Sequence, residues 1–192
     1  MALRISKAEL PATLRENMIA QMGAVPEPVE VAWHSPQVAE ASLVFGQKIG
    51  EWKAVDEQLK TFAHMAVAAQ VGCSWCLDIN YFMALNKQLD PVKASQIPCW
   101  RESDVFSPLE REVLEYAEAM TNTPATVTDE LAASLLEQLG AQGLVELSAL
   151  IGFANFAARV NTAHGIKSQG YAAHCEIPLA KRAGAAGVLS KS

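Results

Sequence analysis

The chain has 192 residues, 51% of them hydrophobic and only 19% charged, with a formal net charge of −6. That length suits one domain with a substantial core, and the apolar excess points to further burial between subunits. An acidic balance with dispersed basic residues argues against a nucleic-acid footprint, and no uninterrupted apolar run reaches the length of a membrane span.

Residues 1–30 are punctuated by Pro11, Pro26 and Pro28, which leaves room for a short helix over 13–22 ending near Gly23. No apolar signal-peptide core occurs at the N-terminus, so the expected setting is cytoplasmic. Ser35-Pro36 has the form of a cap followed by a first-turn proline. It predicts a helix over 37–49, with Val44 and Phe45 toward the core and a break at Gly50. Leu59, Phe62, Ala63, Ala66 and Val67 keep helical spacing within 55–71, Gln70 continues that face, and Gly72 is the natural stop. A helix over 74–87 places Leu77, Tyr81 and Ala84 along one side.

Asp90-Pro91 opens a short helix to Gln96, which Pro98 should end, with 99–104 as a loop. Ser107-Pro108-Leu109-Glu110 is a capping-box signature for a helix reaching Met120. Thr128 caps a helix over 129–137 that ends at Gly140. A last long helix over 142–164 turns Leu144, Leu147, Leu150, Ile151, Ala154, Ala158 and Val160 inward and stops near Gly165. Beyond Gln169 the Ala/Gly/Lys-rich tail is expected to be loosely ordered or used in subunit contact. Strand-like alternation and short repeats are absent, so the expected fold class is all-α.

The chemistry concentrates in Gly72-Cys73-Ser74-Trp75-Cys76, followed by Asn80. A glycine that closes one helix lets Cys73 open the next, where free backbone N–H groups and the positive dipole end favour a thiolate. Asn80 lies four residues past Cys76 on the same face. Four cysteines in a reducing cytosol do not imply a disulfide framework, and a Cys-x-x-Cys there is more often redox-active or metal-binding. A zinc site would want two further ligands, and no second Cys-x-x-Cys or His-x-His is nearby, so no metal and no cofactor are expected.

This motif in an Ala-rich helical chain resembles the alkylhydroperoxidase D/carboxymuconolactone decarboxylase family. The stretches Phe106–Thr121 and Leu144–Asn161 resemble later helices of that family. The resemblance runs from about Ser35 to Ile166. It implies a helical bundle over 35–170, with 1–34 as an N-terminal extension packing on it and 171–192 as a tail. It also implies a homo-oligomer: dimer, trimer or hexamer. In the family pattern the second cysteine attacks peroxide and the first resolves it, which makes Cys76 the nucleophile and Cys73 its partner. The peroxidase members carry a histidine four residues after the second cysteine and a glutamate twelve before the first. Asn80 and Thr61 occupy those positions here, and neither can take a thiol proton near neutral pH.

His64, nine residues before Cys73, is a candidate replacement base if the two helices fold back on each other, and Trp75 is a candidate pocket wall. Each has a plain alternative: a hydrogen-bonded histidine and a core tryptophan. Glu51, Asp56 and Glu57 could supply a carboxylate but fit a solvated face, and His164 fits the helix-dipole complement. Cys99 and Cys175 receive no role. The leading expectation is a thiol-dependent peroxidase-like protein reducing hydroperoxides through a Cys73–Cys76 disulfide, recycled by an external dithiol reductant. Turnover should be slow unless His64 or a carboxylate substitutes for the relay. The alternatives are a decarboxylase-like lyase for a small carboxylic acid or lactone, with Arg159 holding the carboxylate, and a non-enzymatic redox-responsive oligomer.

Overall fold

The computed structural model describes residues 3–173 and 175–181, and among these it contains helices and no strand. The helices are α1 (Ala12–Met22), α2 (Glu27–Ala32), α3 (Pro36–Glu51), α4 (Glu57–Val71), α5 (Ser74–Asn86), α6 (Pro91–Gln96), α7 (Pro108–Thr121) and α8 (Asp129–His164). A 3-10 segment, Ile97–Glu102, follows α6 directly.

The bundle is built around α4. Asp56 caps it, its carboxylate accepting the Gln58 N–H at 2.8 Å, and Gly72 ends it in the left-handed region at φ 79°. Leu59, Phe62, Ala63, Met65, Ala66, Val67 and Ala68 are all buried, because α5, α7 and α8 pack around this one helix. The alanines let neighbouring backbones approach, while Phe62, Met65 and Val67 contribute roughly 1.5–3 kcal/mol each by burial. Lys60 is buried too, its ammonium bonded to the Trp52 carbonyl at 3.0 Å and to Glu57 at 2.8 Å.

The capping box on α7 is complete, Ser107 accepting the Glu110 N–H and Glu110 accepting the Ser107 N–H. Glu110 also receives Gln58 at 2.8 Å and Lys93 at 2.7 Å, so one buried carboxylate ties α7 to α4 and α6. Alpha-helix α8 breaks at Gly140 (φ 69°, ψ 168°), where the two separate helices were expected. By length and composition α8 could cross a membrane. Its Leu147, Leu150, Ile151, Ala154 and Ala158 are nevertheless buried, and the helix packs against α4 and α7 as part of the core.

Four expectations are corrected. Val44 and Phe45 are 55% and 44% exposed. The face that α3 turns to the cavity described below is Val38, Ala39, Ser42, Leu43, Gly46 and Gln47, of which only Ala39 is buried, and this helical i, i+3/i+4 progression leaves Val44 and Phe45 off it. Gly50 does not break α3, which runs on to Glu51. Pro98 does not end the helical path, because a proline fits the first turn of the 3-10 segment, where its missing N–H costs nothing. The short helix α2, missed between prolines, has Pro28 in its own first turn.

The fourth correction concerns the tail. Residues 168–173 and 175–180 pack back on the bundle rather than trailing from it. The buried Asp78 carboxylate accepts the Ser168 hydroxyl and the backbone N–H groups of Gly170, Tyr171 and Ala172, at 2.7 to 3.0 Å. Tyr81 donates to the Ile177 carbonyl and Ala180 N–H to the Ser95 carbonyl, while Cys175 and Leu179 rest on the core. The remainder of that tail, 182–192, lies outside the described residues. Asp78→Ala removes an anion holding four donors, three of them backbone groups. We expect it to cost about 2–4 kcal/mol of unfolding free energy in urea. Hydrogen exchange at 170–172 should rise far more than at the α4 core.

Candidate active site

The reversal at Gly72 makes Cys73 the cap residue of α5 and Cys76 its third helical residue. The Cys73 sulfur takes the place a serine or aspartate oxygen would hold, accepting the Cys76 N–H at 3.3 Å. Both cysteines are 2% exposed and neither is in a disulfide. From the far side, Asn161 on α8 donates its Nδ2–H to the Cys76 sulfur at 3.3 Å.

The two sulfurs share one proton unequally. Cys73 is lowered to about 7, first by the hydrogen bond from the Cys76 side chain and then, against the opposing effect of burial, by the backbone N–H groups at the helix start. Cys76 is pushed well above the ordinary thiol range by its bond to Cys73 and by burial. Cys73 is thus the more acidic sulfur of the pair, and Cys76 holds its proton more tightly.

Cys76, and not Cys73, lines a cavity of about 740 Å³. His64 from α4, Trp75, Ile79, Asn80 and Met83 from α5, and Phe153, Phe156, Val160, Asn161 and His164 from α8 form one wall. The cavity face of α3, with Val29 and Val31 of α2, forms the other. Among the described residues, no lysine, arginine, aspartate or glutamate is in this lining. The structure therefore brings Cys76, His64, Asn80 and Trp75 to one cavity and leaves Cys73 directly behind it.

Each candidate has a definite attachment. Trp75 donates its indole N–H to Gln169 at 2.7 Å, and the same oxygen accepts the Glu27 N–H while the Gln169 amide donates to the Val25 carbonyl. Asn80 donates to the Cys76 backbone carbonyl at 2.7 Å rather than to the sulfur. His64 is half-buried in the cavity wall, and desolvation there, with the Lys87 charge adding, lowers it to about 4. It is a neutral imidazole at pH 7 and a weak base, which counts against a strong replacement relay. The Arg4 backbone N–H and guanidinium meet the last carbonyls of α8 at His164, Ala163 and Thr162, so the capping cation there is Arg4 while His164 turns to the cavity.

Other candidates lie elsewhere. Glu51 pairs with Lys48, Glu57 with Lys60 and Lys87, and Asp56 caps α4. Arg159 bonds the Thr121 carbonyl at 2.8 Å and is absent from the cavity wall. Among the described residues no group of three His, Cys, Asp or Glu side chains is placed to hold a metal ion. Asn161 was underweighted by sequence reasoning. Its signal is a polar residue continuing the apolar row Leu147, Ile151, Ala154, Ala158, and it is buried as they are.

A histidine kept neutral in the fold but free to protonate when unfolded makes the unfolded chain bind the extra proton. Stability must then fall as pH drops from about 6.5 to about 4, by at most ~1.4 kcal/mol per pH unit. Glu57 and Glu110, whose pKa values are lowered, add their own loss only from the lower end of that window downward, so the upper part of it reports His64. Denaturation at stepped pH should show this loss, and His64→Gln should flatten it.

With this geometry in hand, three comparisons place the chain. Residues 36–119 match the model of the carboxymuconolactone decarboxylase family. A functionally uncharacterised Escherichia coli K12 protein, YnjA, is 38% identical over 124 residues, covering 65% of this chain and 66% of that protein's length. The debrominase Bmp8, solved with 2,3,4-tribromopyrrole, superimposes with a TM-score of 0.78 at 20% identity, over 89% of this chain and 94% of Bmp8. The alkylhydroperoxidase AhpD core of a peroxidase-related protein from Ralstonia eutropha JMP134 gives 0.76 at 17% identity, over 88% and 94%. At such identities the two structures speak for the fold alone. Fold, motif and family match agree: residues 36–119 match the carboxymuconolactone decarboxylase family, and the chain has the AhpD-like all-helical fold.

Proposed function

We propose that the protein reduces uncharged organic hydroperoxides through its Cys73–Cys76 dithiol, and that an external dithiol reductant recycles the disulfide. The match to the carboxymuconolactone decarboxylase family and the AhpD-like fold support a peroxidase-related or decarboxylase-like role. The observation that carries the peroxidase reading is the position of Cys76 in the wall of a large cavity without charged lining, with a sulfur of low pKa behind it. An apolar wall binds a hydrocarbon body and leaves a charged molecule undercompensated.

The Cys76 proton crosses to Cys73, and the Cys76 thiolate attacks the outer peroxide oxygen. The S–O bond forms as the O–O bond breaks, and the departing alkoxide takes the proton from Cys73 and leaves as alcohol. The Cys73 thiolate then attacks the sulfenic sulfur, forming the disulfide and releasing hydroxide, which takes a proton from solvent to become water. His64 and Asn80 offer neutral polar edges to orient the peroxide. A cytosolic setting would supply the reducing thiols. Exposed Val44, Phe45, Val145 and Phe156 support a homo-oligomer.

The lyase reading loses its carboxylate anchor, since Arg159 points to Thr121. A second reductive reading has support in the aromatic walls of Trp75, Phe153 and Phe156 and in the shared fold with a debrominase. There, two electrons and a proton from the dithiol would replace a C–Br bond by C–H, yielding disulfide and bromide.

In assays with cumene hydroperoxide and dithiothreitol, Cys76→Ser should lose at least about 100-fold of the consumption rate. With dithiothreitol left out, Cys73→Ser should complete one turnover and stop at a sulfenic acid that dimedone traps. Undiminished consumption by Cys76→Ser sinks the peroxidase reading, and bromide release from tribromopyrrole in place of peroxide consumption would install the second.

A further inference from the structure

We propose that Asn161 is a catalytic residue: the side-chain donor that receives the negative charge on Cys76 when its proton crosses to Cys73. The inference rests on the dithiol reading above for the reaction, but its own content is a property of the sulfur.

Asn161 is 5% exposed and sits at the end of the buried face of α8. Its side chain donates to the Cys76 sulfur at 3.3 Å, and the same amide also helps to lower Cys73. A neutral thiol is a weak acceptor, so it compensates poorly for burying an amide; an apolar side chain would fill the same space without that cost. A thiolate is a strong acceptor. The amide is thus best satisfied in the state that attacks substrate, as with donors aimed at the place where charge develops.

Other groups near Cys76 leave this task open. Asn80 spends its N–H on the Cys76 backbone carbonyl, and the Cys76 N–H is directed to Cys73. His64 is a neutral member of the cavity wall. Trp75 is bound to Gln169. The start of α5 therefore stabilises charge on Cys73, while the Asn161 amide of α8, which also helps to lower Cys73, is the side-chain donor bonded to Cys76. This arrangement lets one proton move between the sulfurs without either anion being left unsupported, and it replaces the acid–base relay that Thr61 and Asn80 cannot provide.

The test reads the titration of Cys76 by pH-dependent iodoacetamide alkylation and mass spectrometry in Cys73→Ser protein, where the coupling between sulfurs is gone. Adding Asn161→Leu, which keeps the shape and removes the donor, should raise the midpoint by about one to two pH units. In the otherwise wild-type chain Asn161→Leu should slow disulfide formation by cumene hydroperoxide about 10- to 100-fold, with circular dichroism unchanged. An unmoved midpoint in folded protein overturns the assignment. Should Asn161→Leu fail to fold, the side-chain amide resonance of Asn161 in 15N-labelled Cys73→Ser protein decides. It must shift with the Cys76 midpoint, and a resonance that ignores it overturns the proposal. If the midpoint responds to Asn161 while wild-type protein consumes no hydroperoxide, the peroxidase reading falls and the role of Asn161 stands.

Discussion

The left-handed turn at Gly72 is the constraint on which the site depends. At φ 79° a glycine ends α4 without steric penalty and lets α5 begin at the next residue, so a cysteine sulfur becomes the cap of a helix. One residue more in the connection would move Cys73 off the cap and Cys76 off the third position. The unpaired N–H groups would then face solvent or a neighbouring side chain, and the low pKa of Cys73 would have no source. A backbone conformation thus sets the chemistry of a side chain.

Around that turn, the cavity is assembled from parts that are distant in sequence. Gln169 links the Trp75 indole to the start of α2, and Asp78 gathers the backbone after α8 onto α5. Arg4 closes the end of α8. These are hydrogen bonds to charged or buried groups, strong enough to hold irregular segments that carry little apolar surface of their own. The ends of the described chain are therefore structural members of the site, and the wall opposite the cysteines is contributed by α2 and α3.

The chemistry of the site is that of an asymmetric dithiol in a neutral pocket. Its two sulfurs differ in what faces them: a helix start for Cys73, a cavity and one amide for Cys76. The absence of charge from the lining matters as much as the sulfurs do. It keeps the dielectric low, which strengthens each remaining polar contact, and it disfavours ionised ligands.

Much of the fold was legible because its signals are local. The capping box at Ser107, the caps at Asp90 and Thr128, the glycine stops at 72 and 165 and the break at Gly140 depend on a few adjacent residues, and the helices follow them. The Cys-x-x-Cys pair and its place at a helix start were likewise local. Where the reading failed, the deciding partner was remote. Val44 and Phe45 are apolar, yet both are left exposed, with Phe45 resting edge-on against Phe153 of α8. The Ala/Gly-rich stretch after Gln169 has weak propensity for any structure, and Asp78, about ninety residues earlier, orders it. His64 came to the cavity because its helix folds back on α5, but only its half-buried place in the cavity wall shows that it stays neutral. By itself the sequence determined helices, their ends and a redox-capable pair, since these arise from neighbours along the chain. Which sulfur carries the charge, which one meets the cavity and which amide supports it were decided by tertiary packing, because burial and long-range hydrogen bonds exist only once α4, α5 and α8 are brought together.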